Sequence, residues 1–278
     1  FQATYYLNAG NYKSAIRFYQ ELIALFEANR HLILNPPIYY LSAIEGVLDS
    51  LHVAGLYQEM PFFLSKLKEI GAGNYPTEFL TEVQGRHYLY ELSGLLNTGQ
   101  FEAAALLAEE HTEFLSKKTT MTRPETQLKL ALYSSILHLC QGEPAKARKS
   151  MKKILGSGKS FHTLPSYKTA RLVNLLIQAE LGNYDFFANE ISSIKRTIGY
   201  EKQVYITEKL LFRFLMAHPL PIYKKDREKL WSQYQKDIIC IRQDKYEKQL
   251  LKTFDFTAWI ESRLTHIPLK DILIIKKK

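Results

Sequence analysis

The segment Gly156-Ser157-Gly158-Lys159-Ser160 contains the ending of a phosphate-binding motif. The complete motif also needs a glycine at position 153, where this chain has Lys153, and a hydrophobic strand before the loop. Phosphate binds there because backbone N–H groups at a strand-to-helix turn converge on it. The residues around 156–160 have a helical pattern instead, so we expect an ordinary loop between two helices.

Other residue types with catalytic or metal-binding potential are present without the required spacing. No two histidines lie three or four residues apart, which a metal site on one helix would need. Glu109 and Glu110, and Glu45 with Asp49, are neighbouring carboxylates, but a solvated helix face accounts for them. The chain also lacks the Gly-x-Ser-x-Gly motif of many hydrolases. We therefore predict that the protein is not an enzyme and binds no metal or cofactor.

The two cysteines, Cys140 and Cys240, lie one hundred residues apart, which predicts reduced thiols. Cys140 ends an apolar stretch and is expected to be a small core residue. No apolar run approaches the roughly 18 residues of a membrane helix, so membrane insertion is not expected. The predicted location is the cytoplasm.

A short sequence motif, glycine followed two residues later by an aromatic residue, recurs along the chain. Its copies begin at Gly10, Gly55, Gly99, Gly142 and Gly182, with proline in place of the aromatic in the fourth copy. The spacings are 45, 44, 43 and 40 residues. Periods of 20–50 residues indicate an array of supersecondary units. Helix-period patterns flank each glycine, so each unit is predicted to be an antiparallel helix pair whose glycine ends the first helix in the left-handed conformation.

The pattern also predicts where the helices lie. Prolines 36, 37, 76, 124 and 165 stand where first helices should begin, and Thr122 to Glu125 has the pattern of a capping box. First helices are expected near 37–53, 77–97, 124–140, 165–181 and 200–217, and second helices near 11–28, 57–70, 100–117, 143–155 and 184–197. Residues 1–9 are expected to be the end of a helix that starts upstream, in a larger protein.

The sequence Gly-Asn-Tyr-x-x-Ala-Ile-x-x-Tyr at residues 10–19 resembles the turn and second helix of a tetratricopeptide repeat. Gly10, Tyr12, Ala15 and Tyr19 carry the resemblance, which covers roughly residues 1–197 in degenerate form and with a longer period. The longer period is similar to that of the extended repeat variants found in some bacterial regulators and scaffolds. The resemblance implies an all-α, right-handed superhelix that binds a protein or peptide on a concave face lined by first helices.

After residue 218 the repeat pattern changes. We divide the chain into helical repeats at 1–218 and a C-terminal helical cap with a basic tail at 219–278. A long charged helix is expected from about 222 into the 240s and a further helical stretch over 245–253. Asp255 is expected to cap a short helix carrying Phe256 and Trp259. The final residues, 267–278, either dock or extend into solvent; their sequence fits both.

The formal net charge of +9 is unevenly distributed. Residues 40–115 carry −8, residues 116–168 carry +9 and residues 219–278 carry +6. The acidic block disfavours duplex nucleic acid, while the basic block leaves open a second interpretation, a nucleic-acid-binding helical array acting through residues 146–168. The basic patch for that function comprises Lys146, Arg148, Lys149, Lys152 and Lys153.

The function expected from these patterns is a non-catalytic scaffold, or the sensing part of a larger regulator, that holds a protein segment or peptide. Alignment to the repeat's turn places seven residues in the groove: Glu45, Asp49, His52, Arg86, Ser93, Asn97 and Lys129. Most aromatic residues are expected in the core, with Tyr39, Tyr40, Tyr90 and Tyr133 as candidate peptide anchors.

Overall fold

A computed structural model describes residues 2–33, 35–156, 158–198 and 205–276. Every regular element in these ranges is helical. The α-helices, numbered in chain order, are α1 (Gln2–Asn8), α2 (Tyr12–Ala28), α3 (Ile38–Ala54), α4 (Met60–Gly71), α5 (Thr77–Asn97), α6 (Phe101–Glu110), α7 (Pro124–Cys140), α8 (Pro144–Leu155), α9 (Pro165–Glu180), α10 (Phe186–Ile198), α11 (Ile206–Met216), α12 (Lys224–Gln243), α13 (Glu247–Leu251), α14 (Phe256–Thr265) and α15 (Leu269–Ile275).

The five glycines that begin the repeated motif adopt the left-handed backbone conformation that the sequence predicts. Their φ angles are 72° at Gly10, 76° at Gly55, 71° at Gly99, 75° at Gly142 and 74° at Gly182. At each turn the residue after the glycine donates its N–H to a carbonyl five residues earlier, as Leu56 does to Leu51. These bonds satisfy carbonyl groups that the helix end leaves without intrahelical partners. The predicted helix-ending role of the glycines is therefore confirmed.

Two predicted helices differ in detail. The second helix expected over 100–117 stops at Glu110, and a separate π-helical turn follows at Phe114–Lys118. Phe114 is buried, and its ring would lie 3.2 Å from a Cβ placed on Gly85, so the turn delivers this ring to a close-packed site. The helix expected over 200–217 begins at Ile206, and its first predicted residues lie outside the described ranges.

The chain divides into two compact units. Unit 1 comprises Phe1–Gly94 and Leu107–Gln127, and unit 2 comprises Leu95–Leu106 and Leu128–Lys278. In unit 1, α3 packs against both α2 and α4 and supplies half of the buried residues of the core cluster. Its apolar residues cover most of the helix surface, so it is buried on several sides. The core residues of α3 are Leu41, Ala43, Ile44, Val47, Leu48 and Leu51.

In unit 2, α9 is buried at every position from Leu172 to Ala179. The C-terminal helices α11, α12 and α14 pack on one another around Phe214, whose ring meets Tyr234 and Trp259 edge-on. Asp255 accepts a hydrogen bond from the N–H of Ala258 at 2.8 Å, which confirms its predicted N-cap role.

The last helix, α15, docks within unit 2. Its Ile272 and Leu273 are buried, and Lys270 pairs with Glu102 of α6 at 2.6 Å. Lys276, which follows α15, pairs with Asp255 at 2.6 Å. Of the two alternatives for the final residues, the structure has the docked one through residue 276.

Candidate functional site

Five ionisable side chains of unit 1 gather on α3 and α5. Glu45 and Asp49 lie four residues apart on α3; Glu82, Arg86 and Tyr90 lie at successive intervals of four on α5. Residues spaced by four share one face of a helix. Glu82 is buried, and the other four are half-buried. We call this group the α3–α5 cluster.

Arg86 joins the carboxylates of the two helices. Its Nε donates to Glu82 at 2.8 Å, and Nη1 donates to Glu45 on the other helix. Burial disfavours the charge of Arg86, but Glu45 and Glu82 outweigh burial and raise its pKa above the ordinary value. The guanidinium therefore stays charged and fixes α3 against α5.

Glu82 also reaches the start of α7. Its Oε2 accepts the backbone N–H of Arg123 at 2.9 Å, and Oε1 accepts the Thr126 hydroxyl at 2.7 Å. Burial by itself would raise the pKa of Glu82, but the two hydrogen bonds and the charge of Arg86 hold it below the ordinary value. A carboxylate at a helix N-terminus also benefits from the helix dipole.

Tyr90 occupies the far end of the cluster. Its hydroxyl lies 3.5 Å from the backbone carbonyl oxygen of Glu45 and is hydrogen-bonded to Asp49. Burial and the negative charges of Asp49 and Glu45 raise the pKa of Tyr90 well above its ordinary value. The phenol is therefore neutral near pH 7 and can both donate and accept hydrogen bonds.

The other predicted groove residues lie elsewhere. His52 is 4% exposed and packs edge-on against Tyr57, and Ser93 is 2% exposed and donates to the carbonyl of Tyr90. Asn97 and Lys129 belong to unit 2, where Asn97 donates to the Lys252 carbonyl at 2.9 Å and Lys129 is half-buried. Thus Glu45, Asp49 and Arg86 are the predicted residues that the structure brings together.

Sequence reasoning did not select Glu82 as a site residue. Its spacing of four from Arg86 was the available signal, because oppositely charged residues at that interval pair on a helix. Of the tyrosine candidates, Tyr90 joins the cluster and Tyr133 is buried in unit 2. Tyr39 is exposed, and Tyr40 donates to Glu27 at 2.7 Å.

A second candidate surface lies on α8 in unit 2. Its five predicted cationic residues, Lys146, Arg148, Lys149, Lys152 and Lys153, are all exposed, and we call this surface the α8 basic face. The opposite side of the helix buries Ala147, Met151 and Ile154. Of the nearby phosphate-motif residues, Ser157 lies outside the described ranges.

The described part of the chain holds no group of three or more His, Cys, Asp or Glu side chains placed to bind a metal ion. None of the helices in the described ranges combines the length and apolar character needed to cross a bilayer. Cys140 is half-buried and Cys240 is exposed, and both are free thiols. Burial raises the pKa of Cys140 to about 12.

Comparisons with protein-family models, with curated proteins and with solved structures returned no match to this chain. Its own residues and their geometry must therefore carry any functional assignment.

Proposed function

We propose that this chain is a non-catalytic scaffold that binds a protein segment or peptide at the α3–α5 cluster. The proposed framework is a right-handed superhelix of antiparallel helix pairs, similar to tetratricopeptide repeats. The left-handed glycines at intervals of 40–45 residues and the packing of α3 against α2 and α4 support this framework.

The observation that carries the proposal is the concentration of buried and half-buried ionisable groups where α5 contacts α3, a helix that is otherwise largely apolar. Placing charged groups in a half-buried position costs free energy that pairing only partly returns. The cluster nevertheless contains three carboxylates, a single guanidinium and a phenol. The pKa values of Glu82, Arg86 and Tyr90 are shifted from their ordinary values, and shifted pKa values on neighbouring side chains are a feature of functional sites.

The charges of the cluster indicate what it would hold. Three carboxylates outnumber the guanidinium of Arg86, so the cluster is net negative, and Tyr90 adds a neutral hydroxyl. Side chains or backbone groups that donate hydrogen bonds fit this arrangement, above all those of a cationic residue. A peptide that supplies such donors would bind between residues that α3 and α5 already hold in place.

The proposal can be tested by selecting peptides from a random display library on the immobilised protein. Enriched peptides are then titrated against the wild type and against the Asp49→Asn and Tyr90→Phe variants. Each variant removes one charge or one hydroxyl with little change in shape, and a lost hydrogen bond weakens binding by roughly 1 kcal/mol, or about fivefold in Kd.

Glu59→Gln is the matched control, because Glu59 is exposed and lies outside the cluster in the same unit. Its Kd should equal that of the wild type. Failure to enrich any peptide, or equal affinities for all variants, would contradict binding at the α3–α5 cluster.

A further inference from the structure

The α8 basic face concentrates positive charge on a single short helix. Lys146, Lys149 and Lys153 follow the i, i+3, i+7 spacing, and Arg148 and Lys152 lie four residues apart. At about 1.5 Å rise per residue, the five charges fall within roughly 10 Å along the helix axis. They form one compact cationic surface.

Most of this charge is not neutralised by the chain itself. Within the described residues, Arg148, Lys149 and Lys152 form no ion pair, while Lys146 pairs with Glu143 at 2.7 Å. Like charges three or four residues apart repel one another and destabilise the helix. A ligand of opposite charge would relieve this repulsion, so the surface is complementary to a compact anionic partner.

We propose that the α8 basic face binds an acidic protein segment through lysine–carboxylate and arginine–carboxylate pairs. The chain shows this type of contact internally: in unit 2, Lys270 on α15 pairs with Glu102 on α6 at 2.6 Å. A segment with Asp or Glu at helical intervals would present its carboxylates at the same spacing as the cations of α8.

Two other classes of anionic partner fit the surface less well. Binding of single-stranded nucleic acid combines a basic surface with aromatic side chains on which bases stack, and α8 has no aromatic residue. A membrane-surface helix inserts its apolar side chains, whereas Ala147, Met151 and Ile154 of α8 are buried inside unit 2. An acidic protein segment requires only the exposed cations that are present.

The test uses a fluorescent peptide of about 14 residues with Glu at helical intervals and a second peptide in which every Glu is replaced by Gln. Anisotropy titrations at about 50 mM and about 300 mM salt measure binding to the intact chain, since screening weakens exposed ion pairs. An oligouridylate of matched charge serves as the nucleic-acid probe.

The triple variant Arg148→Gln, Lys149→Gln, Lys152→Gln removes three cations of the face. Lys225→Gln, Lys229→Gln, Lys236→Gln is the matched control, because it removes the same charge from exposed positions of α12. We expect the Glu peptide to bind the first variant about tenfold more weakly than it binds the wild type. Its affinity for the control variant should be close to its affinity for the wild type.

A zero-length carbodiimide cross-link between the Glu peptide and the wild type, mapped by mass spectrometry, provides a second measurement that does not depend on the folding of any variant. Cross-links at Lys149 or Lys152 support the proposal. Equal affinity for the Glu and Gln peptides, equal loss in both variants, or cross-links away from α8 overturns it. Tighter binding of the oligouridylate, lost in the first variant, assigns the face to nucleic acid and also overturns it.

These tests are independent of the peptide selection on the α3–α5 cluster. Neither triple variant alters a residue of that cluster, and neither Asp49 nor Tyr90 lies on α8. The two proposals can therefore fail separately.

Discussion

Replacing Glu82 with Gln should destabilise the protein strongly even though the shape of the side chain is preserved. The carboxylate accepts hydrogen bonds from Arg86 at 2.8 Å, from the Arg123 N–H at 2.9 Å and from the Thr126 hydroxyl at 2.7 Å. If the Gln amide oxygen takes the place of Oε1, it keeps the bonds from Arg86 and Thr126. Its NH2 group then faces the Arg123 N–H, so that one bond is lost.

A hydrogen bond to a charged group contributes about 1.5–3 kcal/mol. Losing one of them would cost about 1.5–3 kcal/mol, and we expect the upper end because the new NH2 group also faces the N–H donor of Arg123. Urea unfolding followed by far-ultraviolet circular dichroism at pH 7 measures the loss. Glu59→Gln, which changes an exposed carboxylate in the same unit, should cost less than about 1 kcal/mol.

The pH dependence provides a second check. Because the folded pKa of Glu82 is lowered, its ionisation contributes stability that is fully present above its unfolded pKa of about 4.3. That contribution is lost as the pH falls through the lower, folded pKa. The difference in unfolding free energy between wild type and Glu82→Gln should therefore shrink towards acid pH. A loss below about 1 kcal/mol at pH 7, or a difference that does not change with pH, would refute the reasoning.

The remaining predictions concern unit 2. Gly99→Ala should lower the free energy of unfolding, measured by heat or urea, by about 1–2 kcal/mol more than Gly142→Ala does. Both glycines have positive φ. A Cβ at Gly99 would lie 2.9 Å from a backbone oxygen of α15, whereas a Cβ at Gly142 would meet nothing within 4 Å. Equal losses would contradict the close contact. Glu247→Gln should cost about 3 kcal/mol and speed hydrogen exchange of the first α11 amides, since this buried carboxylate accepts two of their N–H groups at 2.6 and 3.0 Å; unchanged exchange would count against it. A disulfide reagent at pH 8 should label Cys240 rapidly and Cys140 mainly on unfolding, because the raised pKa of Cys140 leaves almost no thiolate; equal labelling rates would show that Cys140 is accessible.

The sequence was sufficient where local chemistry decides the structure. A glycine between two stretches of helical periodicity predicts a helix that ends at a residue in the left-handed backbone conformation. All five motif glycines have that conformation. Asp255 was identified as an N-cap for the same reason, since the bond it accepts comes from a residue three positions later. Such features depend on a few neighbouring residues and can be recognised without the fold.

Features that depend on distant residues could not be predicted in the same way. Thr122 to Glu125 predicts a local capping box, but in the structure the N–H and hydroxyl of Thr122 both donate to the Thr119 carbonyl. The carboxylate that reaches the start of α7 comes from Glu82, 41 residues earlier in the chain. No short-range pattern identifies a partner at that separation.

The groove prediction shows a similar limit. The repeat register places Glu45, Asp49, His52 and Ser93 on the first helices, but not on a particular side of them. Because α3 is apolar around most of its surface, nearly every position contacts another element, and His52 is buried among them. Helical periodicity alone does not distinguish a groove-facing position from an interior one when a helix is buried on several sides.

The docking of the C-terminal segment has a consequence for how unit 2 is made in a cell. Asn97 bonds to the carbonyl of Lys252 across 155 residues, and Glu102 pairs with Lys270 across 168. At a synthesis rate of about 5–20 residues per second, residues 95–106 leave the ribosome roughly 8–30 s before these contacts can form. During that interval the Gly99 turn has no α15 to cover it. The structure therefore implies that this turn is open to chaperones or to premature association until the residues of α15 have been synthesised.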